Sequence, residues 1–238
     1  MFGKKKIPIL MYHDVSNKNK ENDSVHYKKF FKQILFIRAL GYKSVNLCDI
    51  RKNNHKKVFV ITFDDGYQNL IKFVLPFLKK NNFKATCFIV SNSIGKFNYW
   101  DKHKVKYKKK KIMNIKEIKS WLAAGLEIGS HTLNHYNLTS LNDTDKLLEI
   151  TKPIELFKKK LGINVKTFSY PFGKYDNKTI KIVKKYYKFA VSTKRSRYIK
   201  DYFDINVLPR IPVNYDTSIF KLFLKTSTIY EDIKYKND

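Results

Sequence analysis

Short apolar segments alternate with amphipathic segments along most of this 238-residue chain. The apolar segments predict strands at residues 7–12, 58–63, 85–90, 127–129, 167–170 and 189–192, with a weaker strand at 44–47. Helical spacing occurs at residues 27–40, 68–80, 115–124, 144–161 and 178–187. Gly41, Gly125 and Gly162 stand where helices should end, and Pro153 should kink or split its helix. The alternation predicts an α/β fold with a parallel sheet, either a barrel or an open doubly wound sheet.

Polar residues follow the predicted strands directly. His13, the pair Asp64 and Asp65, the pair His131 and His135, and Pro171 each stand just after a strand. Active sites of parallel α/β folds form at that edge of the sheet. One carboxylate and two imidazoles can hold a divalent ion, and the second carboxylate can then take a proton from water. The grouping therefore indicates metal-assisted hydrolysis.

Composition restricts the class of protein less sharply. The hydrophobic fraction of 43% is typical of a globular chain, and no linker or repeat divides it, so we expect one domain over residues 1–238. The formal charge of +29 is compatible with nucleic-acid binding, with an anionic membrane or glycan, or with lysine-biased codons. Because the lysines are spread along the chain without a nucleic-acid-binding motif, we favour a generally basic surface and expect no nucleic-acid partner.

Cysteine content and hydropathy suggest where the protein works. Cys48 and Cys87 stand in apolar surroundings and are predicted to be buried thiols, not a disulfide. The apolar run that begins at Ile7 is too short for an export signal, and no run approaches the ~18 residues of a membrane span. We therefore expect a cytoplasmic protein, at the inner membrane surface if it associates peripherally with anionic lipids.

The motifs together resemble those of carbohydrate esterase family 4, the polysaccharide deacetylases. Thr62-Phe63-Asp64-Asp65-Gly66 is similar to the first motif of that family, and Gly129-Ser130-His131-Thr132 with His135 is similar to the second. Tyr170-Pro171-Phe172-Gly173 resembles the third motif. The resemblance implies a distorted (β/α) barrel with fewer than eight full units. It also implies that Asp64 is the catalytic base, that Asp65, His131 and His135 bind the metal, and that Phe172 lends a backbone N–H to an oxyanion hole.

The chain departs from the family pattern at two places. Ser169 stands where many members have an arginine that orients the catalytic aspartate, and no histidine follows His135 to act as the catalytic acid. His13 is the best candidate for the acid, similar to the branch that contains the poly-N-acetylglucosamine deacetylases. Arg210 is a candidate for the missing arginine, although a surface ion pair is an equal alternative for it.

Six lysines occur within residues 104–111, in a segment that we interpret as an insertion near residues 97–111. A run of this kind is usually a solvated loop, but here it could overhang the site and attract a phosphate-bearing substrate. His26, His55 and His103 have polar or lysine-rich neighbours, and we expect them to be solvated.

These observations lead to one functional hypothesis and two alternatives. The hypothesis is a hydrolase that depends on a divalent metal, with Zn²⁺ the expected ion, and removes the N-acetyl group of an amino sugar. A lipopolysaccharide, a capsule or another cell-surface glycan precursor, including a lipid-linked sugar, would be the substrate. An O-acetyl carbohydrate esterase would use the same residues. A basic glycan-, membrane- or nucleic-acid-binding protein without catalysis is the second alternative.

Overall fold

Seven parallel strands form a closed ring at the centre of the protein. The computed structural model describes residues 6–18, 24–103 and 105–235. The ring consists of β1 (Ile9–Tyr12), β2 (Val58–Phe63), β3 (Thr86–Ile89), β4 (Glu127–Ser130), β5 (Thr167–Ser169), β6 (Phe189–Arg195) and β7 (Leu208–Pro212). Strands β2 to β7 pair in chain order, and β1 pairs with both β7 and β2, which closes the ring. This arrangement confirms the distorted barrel with fewer than eight units.

Helices follow the strands and cover the outside of the ring. They are α1 (Tyr27–Ala39), α2 (Asn69–Phe73), α3 (Leu75–Lys80), α4 (Ile115–Ala123), α5 (Asp143–Leu161), α6 (Asn177–Tyr186), α7 (Ile219–Ser227) and α8 (Tyr230–Lys234). Single 3₁₀ turns occur at Leu47–Asp49, Ser91–Ser93, Tyr99–Asp101, Leu138–Ser140 and Pro171–Gly173. In the described part of the chain, no helix combines the length and the apolar character that a membrane crossing requires.

Short strands extend the barrel without entering the ring. Lys43–Val45 lies parallel to the first half of β2. Lys6–Ile7 pairs with Tyr198–Ile199 in an antiparallel manner, and Asp14–Ser16 pairs with Ser24–His26 in a parallel manner.

Alternate residues of the strands pack into two separate hydrophobic clusters. Ile9 and Val60 belong to a smaller cluster built from strand residues and the segment around Leu47. Their neighbours Leu10 and Ile61 belong to a larger cluster that also contains helix residues such as Trp121. Because successive side chains of a strand point to opposite faces, the smaller cluster fills the barrel and the larger one seals the helices onto it.

Two of the predicted helices differ from the pattern. Residues 68–80 form two short helices, α2 and α3, instead of one. The break follows from Pro76, which has no N–H to donate to the carbonyl of Lys72 and whose ring crowds that turn. In contrast, Pro153 does not split α5, which runs unbroken through nineteen residues.

The glycines behave as expected, since Gly41, Gly125 and Gly162 have φ values of +84°, +71° and +71° directly after helices.

Several elements were missed or misjudged. The hydrophobic pattern did not delimit β7, because Leu208-Pro209-Arg210-Ile211-Pro212 places a charge and two prolines in a buried strand. The predicted strand 7–12 is interrupted at Pro8, and the C-terminal helices α7 and α8 were not predicted. Both cysteines are free thiols as expected, but only Cys87 is fully buried and Cys48 is partly exposed.

Gly129 in β4 offers a test of the barrel packing. A Cβ atom there would lie 2.5 Å from the Phe88 ring and 2.7 Å from Oγ1 of Thr167. We expect Gly129→Ala to lower the free energy of unfolding by ~1–3 kcal/mol through overpacking, measured by urea denaturation. Adding Phe88→Leu should recover part of that loss by making room. Additive losses in the double variant would show that the Phe88 contact does not cause the effect.

Candidate active site

The predicted site residues meet at the carboxyl ends of the barrel strands. Asp64 and Asp65 follow β2, His131 follows β4, and the turn at Pro171–Gly173 follows β5. They surround a cavity of about 200 Å³. Its lining consists of His13, Asp64, Asp65, Tyr67, Trp100, Asp101, His131, His135, Tyr170, Phe172 and Thr193. The structure therefore brings His13, both aspartates and both motif histidines to one place, as the sequence predicts.

Asp65, His131 and His135 form a buried triangle. Oδ1 of Asp65 lies 3.6 Å from Nε2 of His131 and 3.5 Å from Nε2 of His135. The candidate ligand atoms of the three residues all lie within 4.8 Å of one another. One carboxylate oxygen and two imidazole nitrogens are a donor set that suits Zn²⁺. Burial raises the pKa of Asp65, and a cation in the triangle would offset that cost.

The two imidazoles are held in different ways. Nδ1 of His131 is 2.8 Å from the carbonyl oxygen of Ser169. Donation from this Nδ1–H to the carbonyl leaves the Nε2 lone pair directed toward Asp65, which is the tautomer a metal ligand needs. The His135 ring stacks on Trp100, with centroids 4.9 Å apart, and meets the edge of Phe172 at 4.7 Å.

Asp64 is bound on both oxygens by Arg210. The two terminal nitrogens of the Arg210 guanidinium lie 2.7 Å from Oδ1 and Oδ2 of Asp64. The same guanidinium donates to Thr62 Oγ1 at 3.2 Å, to Ser169 Oγ at 3.2 Å and, through Nε, to the carbonyl of Ser192 at 2.9 Å. Arg210 is fully buried, so the pair is not the surface ion pair of the alternative interpretation.

This ion pair keeps Asp64 ionised. Burial alone would raise the pKa of Asp64, but the Arg210 guanidinium outweighs it and holds the pKa well below its usual range. The lowered pKa and the two short contacts with Arg210 both favour the ionised form of Asp64. The adjacent aspartates thus have pKa values displaced in opposite directions, which separates their chemical roles.

The turns that present these residues use left-handed backbone. Asp65, Thr132, His135 and Phe172 have φ values of 72°, 65°, 64° and 59°. Non-glycine residues adopt this conformation only when their surroundings hold them there, and such residues concentrate at functional sites. The conformation at Asp65 turns the chain sharply between two consecutive carboxylates.

Helix α5 braces the loop between the two histidines. The carbonyl of Glu149 accepts a hydrogen bond from the N–H of Leu133 at 3.1 Å. In an uninterrupted helix this carbonyl would bond to the N–H of residue 153, but Pro153 has none. The Glu149 carboxylate also accepts from the backbone N–H and side chain of Asn134, at 2.9 and 2.6 Å. Pro153 therefore frees a helix carbonyl that holds the loop between His131 and His135.

The third motif forms a single 3₁₀ turn beside the cavity. Gly173 N–H donates to Tyr170 O, and Lys174 N–H donates to Pro171 O. Neither bond uses the N–H of Phe172, whose side chain is half exposed. Tyr170 and Pro171 are buried, and the Tyr170 hydroxyl donates to the carbonyl of Asn206 at 2.8 Å.

Histidines outside the triangle have clear positions. His13 lines the catalytic cavity beside Asp64 and Asp65, where it acts against the rise that burial causes in the pKa of each carboxyl. His26 is partly buried and caps α1, since its Nδ1 accepts from Lys28 N–H at 3.3 Å. His55 and His103 are exposed, as expected.

Four residues of the cavity were not predicted. Tyr67 lies against Asp65 and offsets part of the rise that burial causes in the pKa of that carboxyl. Trp100 and Asp101 come from the predicted insertion, and Thr193 lies in β6. The only sequence signal for the first three was their position, next to the first motif or inside the insertion. Lys104, the first residue of the lysine run, lies outside the described residues.

Comparison with known proteins agrees with this geometry. A family model described as "Polysaccharide deacetylase" matches residues 51–188, which is more than half of the chain. The chain belongs to the polysaccharide deacetylase family. The predicted enzyme class, a hydrolase that deacetylates glycans, is thereby confirmed.

Relatives extend the likeness over most of the chain. A poly-β-1,6-N-acetyl-D-glucosamine N-deacetylase from Staphylococcus aureus (strain MRSA252) is 29% identical over 226 residues, covering 87% of this chain and 73% of the relative. The deacetylase PplD from Streptococcus pyogenes, solved with acetate, has a TM-score of 0.81 at 23% identity, covering 94% and 99% of the two chains. A polysaccharide deacetylase from Bacillus cereus has a TM-score of 0.76 at 25% identity, covering 92% and 68%.

The Arg210–Asp64 pair can be tested by Arg210→Met. A buried carboxylate without its partner should cost ~3–5 kcal/mol in the free energy of unfolding at pH 7. Because Arg210 lowers the Asp64 pKa, its loss should raise that pKa and move the acid side of the pH–activity profile to higher pH. Protonation of Asp64 would then relieve the unpaired charge, so the stability deficit should shrink as the pH falls toward ~4. Urea denaturation at several pH values measures this.

Arg210→Lys is the matched control, since it keeps the charge but loses the two-fold contact. It should have a smaller deficit and a smaller displacement of the profile than Arg210→Met. A deficit that is independent of pH in Arg210→Met would contradict the assigned cause.

Proposed function

We propose that this deacetylase is metal-dependent and removes the acetyl group from the nitrogen of an N-acetylated amino sugar in a cell-surface glycan. One observation carries the proposal: the buried triangle of Asp65, His131 and His135 lies in the same cavity as the ionised Asp64. A cation site beside a free carboxylate is the minimum arrangement for metal-assisted hydrolysis.

The donor set fits a divalent ion, and Zn²⁺ suits it best. Two imidazole nitrogens, of which that of His131 has its tautomer fixed, and one carboxylate would leave further coordination positions open to water and substrate. Such an ion supplies Lewis acidity, which polarises a carbonyl and makes a bound water more acidic. Asp65, His131 and His135 would hold it, and the hydrogen bond from His131 to Ser169 and the packing of His135 against Trp100 would fix two of the ligands.

Asp64 acts as the general base in this proposal. It is ionised, buried and next to the triangle, and Arg210 occupies one lone pair on each of its oxygens. Ser169 Oγ donates to Oδ2 as well, at 3.4 Å, so of the roughly four lone-pair sites of a carboxylate about one, on Oδ1, remains to accept the proton of the attacking water. Arg210 orients this carboxylate from β7 and does not itself line the catalytic cavity.

His13 and Phe172 complete the proposed machinery. Amide hydrolysis requires a proton for the departing nitrogen, and His13 is the remaining imidazole in the cavity lining. The backbone N–H of Phe172 is not used by the hydrogen bonds of its own turn, so it can donate to the developing oxyanion. In this proposal His13 gives a proton to the departing nitrogen, and the Phe172 N–H stabilises the negative charge of the oxyanion.

The shape of the surroundings supports a glycan substrate. The catalytic cavity meets a wider cleft of about 700 Å³, and both are lined by Thr193. Tyr175, Lys174 and Lys194 line this cleft. The related Staphylococcus aureus enzyme is named for poly-β-1,6-N-acetyl-D-glucosamine, which supports N-acetylglucosamine as the first sugar to test. An intracellular location at the inner membrane surface, acting on a glycan precursor, stays a prediction.

The alternatives make distinct predictions. An O-acetyl esterase would release acetate from acetylated hydroxyls but not from N-acetyl groups, since an alcohol leaves more easily than an amine. A basic binding protein without catalysis would bind glycan or membrane in a salt-sensitive manner and release no acetate. The intact cavity and the family membership favour catalysis over that second alternative.

Acetate release from N-acetylglucosamine oligomers, with added Zn²⁺ or a chelator, tests the function. Asp65→Asn should lose metal and activity together, because it weakens one of three protein ligands. Asp64→Asn should keep the metal, measured by elemental analysis, while kcat falls by ~10²–10⁴-fold. Metal loss in Asp64→Asn with retention in Asp65→Asn would reverse the two roles. Release only from O-acetylated sugars would establish the esterase instead.

The proposed acid His13 should show a dependence on the leaving group. His13→Ala should keep its metal and its folded circular dichroism spectrum, yet lose ~10²–10⁴-fold in kcat/KM on the N-acetylated glycan. An activated acetyl ester has a leaving group that needs no proton, so its hydrolysis should fall much less. The acid limb of the wild-type pH profile on the amide should lie at unusually low pH, because the pKa of Asp64 is lowered. Equal losses on the amide and the activated ester would remove His13 from the acid role.

A further inference from the structure

The end of the lysine run is fixed against the catalytic loop. The carbonyl of Lys111 accepts from Gln68 N–H at 2.8 Å, and Met113 N–H donates to the carbonyl of Gly66 at 2.9 Å. Tyr67 and Ile112 form an antiparallel bridge between these bonds. Residues 109–111 are therefore not a freely solvated loop. Their backbone is held beside the loop that carries Asp64 and Asp65.

A second cavity of about 220 Å³ lies beside the catalytic cavity, and Tyr67 lines both. Four lysines line the second cavity: Lys18, Lys109, Lys110 and Lys111. Among the residues that the structure describes, Asp14 is the one carboxylate of this lining, which gives the described lining a formal charge of +3. We call this cavity the basic pocket.

Asp14 does not cancel the attraction of the basic pocket for anions. It is buried, and its two oxygens are bound by Lys110 Nζ at 2.9 Å and Asn69 Nδ2 at 3.1 Å. Lys110 is thereby committed to Asp14 and lies with its ammonium 5.2 Å from the Tyr67 ring centroid. Lys109 and Lys111 are exposed and carry the charge that a ligand would meet.

We propose that the basic pocket binds a phosphate group of the glycan substrate itself, on the sugar next to the one that is deacetylated. This inference rests on the proposed function, because it assigns the neighbouring group of the same substrate. Tyr67 is common to the two cavities, so a phosphate in the basic pocket would lie next to the catalytic cavity. The excess charge of the pocket matches a multiply charged anion better than a single carboxylate, and lysine ammoniums bind phosphate as point charges.

The test compares two oligosaccharides that differ only in one phosphate on the sugar adjacent to the N-acetylated unit. Wild-type protein should have the higher kcat/KM on the phosphorylated compound, and added salt should reduce that preference. In the double variant K109Q/K111Q the ratio of the two kcat/KM values should fall by about five- to tenfold, as expected for two exposed charge contacts. A wild-type ratio of one, or an unchanged ratio in the double variant, would overturn the proposal.

A matched control separates this effect from the overall loss of charge. Lys159 and Lys160 are exposed in the last turn of α5, where the chain returns to the amino end of the barrel. The variant K159Q/K160Q removes the same two charges and should keep the wild-type ratio. A fall in the ratio equal to that of K109Q/K111Q would show that net charge alone is responsible, and this too would overturn the assignment.

Two further measurements keep the outcome distinct from that of the proposed function. If neither compound releases acetate, calorimetric binding of the phosphorylated and unphosphorylated compounds still reports on the pocket, and equal affinities would overturn the inference. Binding to phosphatidylglycerol vesicles identifies a lipid source. If K109Q/K111Q weakens vesicle binding but leaves the preference between the two oligosaccharides intact, the pocket recognises lipid headgroups and the proposal is wrong.

Discussion

The buried ion pair between Arg210 and Asp64 joins barrel closure to the chemistry of the site. From β7, Arg210 reaches Ser192 in β6, Ser169 in β5 and both Thr62 and Asp64 at the end of β2. A buried guanidinium is tolerated only when its donors are satisfied, because desolvation costs several kcal/mol for each ion. Here the donors are satisfied only when these strands lie in register. Closure of the ring and the orientation of the Asp64 carboxylate therefore depend on the same contacts.

Strain at the site is balanced by contacts that come from outside it. Asp65, Thr132 and His135 have left-handed backbone, which costs of order 1–3 kcal/mol at each residue. Helix α5 opposes this strain with the Glu149 carbonyl and carboxylate, which hold the backbone of the His131–His135 loop. Pro153 makes the carbonyl available. Pro153, a residue type that usually breaks helices, thus leaves one backbone acceptor of α5 free to bind the loop.

The sequence allowed the fold and most of the site to be predicted for one reason: both depend on spacing along the chain. Apolar periods located six of the seven ring strands, and the position of polar residues after strands located Asp64, Asp65, His131 and His135. The remainder depends on contacts between distant segments. No local pattern shows that Trp100 stacks on His135, or that Arg210 is buried and not on the surface. The break at Pro76 was missed because the hydrophobic pattern depends only on side chains. It contains no information about the backbone N–H that proline lacks.

The two neighbouring aspartates show why the ion pair and the metal triangle stand side by side. Arg210 guarantees that Asp64 is ionised, but a carboxylate with a pKa well below its usual range has little affinity for a proton. Such a base accepts a proton only from a donor that is itself made acidic. A cation held by Asp65 and the two histidines would supply that acidity at the adjacent residue. In the proposed mechanism, the charge on Arg210 thus fixes the position and ionisation of Asp64, whose weakness as a base is acceptable only beside the triangle.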